Sequence, residues 1–70
     1  MWKYAGELRV GDVWTERTAD RALRSYRVTE IERSPGLSAM AVTGTCVTTG
    51  EERTMDFLPL NRVKVRKQPT

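Results

Sequence analysis

Apolar residues recur at every second position through much of this chain, the period of a half-buried strand. In the run after Ala39, Met40, Val42 and Cys46 share one face, and Ala41, Thr43, Thr45 and Val47 share the other. Gly44 interrupts the inward series, where a glycine inside a strand marks a sharp bend at a barrel corner. Met55 and Phe57 point inward against Thr54 and Asp56, and Val63 and Val65 point inward against Arg62, Lys64 and Arg66. Leu8 and Val10 alternate with Glu7 and Arg9, which predicts another half-buried strand, and Val13 to Glu16 continues extended beyond a Gly11-Asp12 kink.

Residues 18–33 carry two patterns. Ala19, Ala22, Leu23 and Tyr26 fit a helical face with Thr18 as N-cap. Tyr26 and Val28 alternate with Arg27 and Thr29 as in a strand, and Ile31 then falls out of phase by one residue, as a bulge causes. The reading adopted is a loop or single helical turn near 18–23 followed by a strand from Arg24 to Arg33. A continuous helix over 19–33 is the alternative. The segments Ser34–Ser38 and Thr49–Glu52 predict turns, and Pro59 breaks the ladder before the last strand. The prediction is an all-β fold of five strands with one short helical turn, its edges covered by closure into a small barrel. Residues 1–67 form a single domain, and 68–70 are a frayed tail.

Composition narrows the chemistry. A chain of 70 residues has room for one compact core. Nothing near either end resembles a signal peptide or a membrane span, so a soluble, cytoplasmic protein without a membrane partner is expected. One cysteine, Cys46, and no histidine leave no internal disulfide, no zinc site and no imidazole-based nucleophile. The scattered carboxylates offer no pair set in apolar surroundings. The chain therefore reads as non-enzymatic, with no cofactor or metal, and Cys46 reads as a small buried hydrophobe.

Charge is unevenly placed. The net charge is +3, yet residues 1–61 hold eight basic and nine acidic side chains. The excess lies in Arg62, Lys64, Arg66 and Lys67, with no acid beyond Asn61. Arginine outnumbers lysine nine to three, which suits planar contacts to phosphate and carboxylate.

The stretch Phe57-Leu58-Pro59-Leu60-Asn61-Arg62-Val63-Lys64-Val65 resembles the end of Src-homology-3 domains, where an apolar pair leads into a helical turn and a final valine-bearing strand. Glu7-Leu8 and Gly11-Asp12 are similar to the stretch before the second strand of that family. The resemblance covers about a quarter of the chain and implies an SH3-like barrel. Arg62 stands where the family has an aromatic, and the family's paired tryptophans are missing, which argues against its Pro-rich peptide ligands. The compact style is also similar to small uncharacterised proteins of actinobacteria and their bacteriophages.

Two functions follow as expectations. The first is a protein-interaction module, phage-encoded and acting on a host protein or on a second copy of the chain, with Trp2, Tyr4 and Trp14 as anchors. The alternative is nucleic-acid binding through Arg62, Lys64, Arg66 and Lys67, joined by Arg24 or Arg27 if their strand lies alongside. The three outward cations of the last strand recur at the phosphate spacing of an extended single strand, although no aromatic interleaves with them in sequence. A self-assembling phage component is a third class.

Overall fold

The computed structural model describes residues 1–33 and 39–66. The expected turn at 34–38 and the chain from Lys67 onward lie outside the described residues. Six strands form: β1 (Trp2–Tyr4), β2 (Val13–Arg17), β3 (Leu23–Glu32), β4 (Met40–Cys46), β5 (Glu52–Phe57) and β6 (Arg62–Val65), with one 3-10 turn at Ala5–Glu7. All pair antiparallel in a single sheet of order β1-β6-β2-β3-β4-β5. No helix among the described residues is long and apolar enough to cross a membrane.

The fold is all-β, as the alternation predicts, but three details differ. The additional strand is β1, three residues whose partner β6 lies near the other end of the chain. The sheet also does not close into a barrel: β1 and β5 are its two edges, and no ladder joins them among the described residues. Side chains bridge the coiled sheet instead, with Phe57 of β5 meeting Trp14 of β2 edge-on at 6.3 Å between ring centroids. The strand predicted at Leu8–Val10 is also corrected. The 3-10 turn buries Ala5 and Leu8 and leaves Val10 66 % exposed. Gly11 then takes a φ of +99°, a conformation open to glycine.

Between residues 18 and 33 the strand reading holds. Thr18 and Ala22 close a turn through the Thr18 N–H to the Ala22 carbonyl at 2.8 Å, and β3 starts at Leu23. Tyr26 and Val28 are buried, and the pairing with β4 shifts register between Val28 and Glu30. That bulge is what the phase of Ile31 predicts.

Trp14 organises the core. It is 1 % exposed, stacks on Tyr26 at 5.2 Å between ring centroids, and reaches across β3 to β4. A Cβ on Gly44 would stand 2.5 Å from two carbons of the Trp14 six-membered ring. Gly44 therefore serves to admit the indole, a role more specific than a strand bend. Val28, Met40, Val42 and Val65 complete the interior around it, each contributing on the order of 1.5–3 kcal/mol by burial.

Cys46 is buried in this core. The Thr49 hydroxyl holds its thiol below the usual cysteine pKa, but a thiolate reacts only when a reagent reaches it. Iodoacetamide at neutral pH is expected to modify Cys46 about a thousandfold more slowly in native buffer than in urea, because opening of a core residue costs on the order of 4 kcal/mol. Equal rates in the two conditions would contradict the packing described here.

Candidate functional site

Residues directly paired across antiparallel strands share a face of the sheet. β1 pairs Trp2 with Lys64 and Tyr4 with Arg62. β6 pairs Lys64 with Thr15, and β2 pairs Thr15 with Ser25. Trp2, Lys64, Thr15 and Ser25 thus form one row across four strands, on the face opposite Val63, Val65 and Trp14. Trp2 and Tyr4 are 57 % and 49 % exposed. The Arg62 guanidinium carbon lies 5.9 Å from the centre of the Trp2 ring, a cation–π contact along the diagonal. Thr15 and Ser25 hydroxyls meet at 3.0 Å, and an Arg66 N–H donates to the Ser25 hydroxyl at 3.3 Å.

The same face carries Arg17 beside Leu23 and Arg27 beside Val13. Across β1, β6, β2 and β3 as far as Arg27, outward positions hold Arg17, Arg27, Arg62, Lys64 and Arg66 and no carboxylate. Of the nearby acids, Glu7 accepts the Tyr4 N–H at 3.1 Å at the end of β1, and two others form ion pairs. Asp12 pairs with Lys3 at 3.4 Å, and Glu16 Oε1 lies 2.6 Å from Arg53 Nη1. The Tyr26 side chain first, and Glu16 after it, raise the Arg53 pKa above the ordinary arginine value.

Of the residues singled out from sequence, Arg62, Lys64 and Arg66 come together, and Lys67 lies outside the described residues. Arg27 joins the face, but β2 separates its strand from β6. Arg24 does not join it: it alternates with Ser25, so it lies on the other face, 3.9 Å from Asp20. Trp2 and Tyr4 are exposed, as anchors must be. Trp14 is corrected, since its pairing with Val65 turns the indole into the core. The sequence shows no aromatic among the cations, and this too is corrected, because β1 sets two rings against Arg62 and Lys64. The spacing of Trp2 and Tyr4 places both on one strand face, but nothing local tells which strand they meet. Thr15, Arg17 and Ser25 carry no signal of their own and enter through register alone.

A groove opens beside this face. The β2–β6 ladder contains only Trp14↔Val65 and Thr15↔Lys64. Its next outward pair would set Arg17 opposite Arg62, and like charges directly opposed destabilise a sheet. The strands part there. The resulting groove of about 390 Å³ has Trp14, Phe57 and Val63 at its base, Trp2 and Leu23 at its lip, and Glu16, Arg17, Arg62 and Lys64 around it. Among the described residues no cluster of three or more side chains is suited to hold a metal. Compared with known proteins, the chain matches no family model, no curated protein and no solved structure.

Proposed function

We propose that this domain is a small non-enzymatic, cytoplasmic binding module that takes single-stranded nucleic acid on the outer face of β1, β6 and β2. The observation that carries this reading is the register that sets Trp2 and Tyr4 against Lys64 and Arg62. Alternate residues on a strand stand about 7 Å apart, so rings and cations run in parallel rows. Bases stack on the rings while phosphates follow the cations, the combination that single-strand binding uses. No carboxylate stands at the outward positions of these strands, so cations set the sign of the field along the row. In overall shape we favour an SH3-like arrangement, supported by the β2-to-β5 meander and by β6 returning beside β2 after the Pro59 turn.

A labelled ten-nucleotide RNA and a labelled DNA duplex, titrated with the protein at low and at physiological salt, test the reading by fluorescence anisotropy. Tighter binding of the single strand, weakened by salt, is expected. Replacing Trp2 and Tyr4 by Ala removes the stacking and weakens it about tenfold per ring, since a stacked base contributes on the order of 1–3 kcal/mol. No binding at low salt, or binding indifferent to both rings, would overturn the proposal. An acidic protein partner is the second reading, favoured by the outward cations together with exposed Leu58 and Leu60 on the turn that leads into β6. It predicts binding that survives moderate salt and depends on Leu60.

A further inference from the structure

We propose that the fork between β2 and β6 is a pocket for one unstacked guanine, read by the carboxylate of Glu16; the inference rests on the single-strand reading above. The groove measures about 390 Å³, within the span of roughly 300–1,000 Å³ that small-molecule sites occupy. It adjoins the row of Trp2 and Lys64, so a base that leaves the stack at the lip reaches it without the strand leaving the face. Its apolar base and cationic rim suit a flat, polar-edged ring.

Glu16 supplies the selectivity. It is the one acid among the residues that line the groove, and its side chain is 18 % exposed. Arg53 fixes the buried Oε1 at 2.6 Å, and a carboxylate's roughly four lone-pair sites are shared between its two oxygens, so Oε2 is the atom that accepts from a ligand. Guanine presents two adjacent donors, N1–H and N2–H, to such an acceptor. Adenine and cytosine present one donor beside an acceptor, and uracil one donor between two acceptors, so each sets a lone pair against the carboxylate. The O6 and N7 acceptors of guanine are the atoms that arginine recognises, and Arg17 and Arg62 flank the groove. Arg53 is a positioning residue: it holds Glu16 in place and need not touch the base.

The test uses a ten-nucleotide uridine RNA carrying one central guanosine, adenosine or inosine, titrated by anisotropy with the full chain. Inosine keeps O6 and N1–H but lacks the second amino donor. The guanosine RNA is expected to bind about tenfold more tightly than the adenosine RNA, the range of a bidentate base contact, with inosine between them. Glu16→Gln keeps the side-chain shape and is expected to erase the difference, while all-uridine RNA binds at least as tightly because one negative charge beside the cations is gone; an unaltered near-UV CD spectrum confirms that it folds. Equal binding of all three RNAs by the unmodified protein, or a guanosine preference that Glu16→Gln leaves intact, overturns this inference and leaves the single-strand function standing. Failure of every RNA to bind at low salt overturns that function, and this inference with it.

Discussion

Reversing Arg62, Lys64 and Arg66 to Glu is expected to weaken single-strand binding about a thousandfold at low salt, because phosphate contacts are replaced by repulsion at neighbouring positions. The parent protein should lose affinity steeply as salt rises. With about five cations engaged, the slope of log affinity against log salt is near −3.5, from roughly −0.7 per phosphate neutralised on a single strand. The variant should show a slope close to zero. Stability should change by no more than about 1 kcal/mol, because these side chains are exposed and their repulsion from Arg17 and Arg27 turns into attraction. Arg24→Glu is the matched control. It changes the net charge in the same direction from the other face, so it should leave most of the affinity in place. Equal losses from Arg24→Glu and from any single reversal on β6 would show that only net charge matters.

The largest effect on stability is expected at Gly44. Gly44→Ala places a methyl 2.5 Å from the Trp14 ring, and moving the indole away would break its stack on Tyr26 and its edge contact with Phe57. Overpacking of this kind costs about 3 kcal/mol, against a total of roughly 4–10 kcal/mol for a domain of this length. The melting temperature should fall by about 15 °C. The clash involves ring carbons that phenylalanine lacks, so Gly44→Ala should cost much less in a Trp14→Phe background. A double-mutant cycle isolates that coupling. If Gly44→Ala costs the same with either ring at position 14, the account of Gly44 as space for the indole fails.

The same pair shows what a sequence conveys about a sheet. The alternation of Met40, Val42 and Cys46 makes β4 legible, and Gly44 stands out as an anomaly within it. The indole that explains the anomaly comes from β2, two strands away, and no local period announces it. The basic row of β6 is equally legible, since Val63 and Val65 take the core and leave the cations outside. Its aromatic companions are not. Trp2 and Tyr4 belong to three residues near the other end of the chain, and their pairing with β6 is a long-range choice that no local pattern announces. Arg24 shows the converse. It resembles Arg27 in type and neighbourhood, but the two are an odd number of residues apart, and that alone sends them to opposite faces.

The pairing of β1 with β6 also sets when the binding face comes into being. Trp2 meets Lys64 across most of the sequence, and closing so long a loop is slow compared with forming the β2–β5 hairpins. Hairpin pairing can precede it; the face cannot. During synthesis the rings of β1 emerge first and remain without their cations until β6 has cleared the ribosome. A chain cut short before Arg62 lacks both the phosphate row and the partner that orders Trp2. On the single-strand function proposed above, nascent and truncated forms would be kept from engaging nucleic acid, and competence for binding would report that the two distant segments have joined.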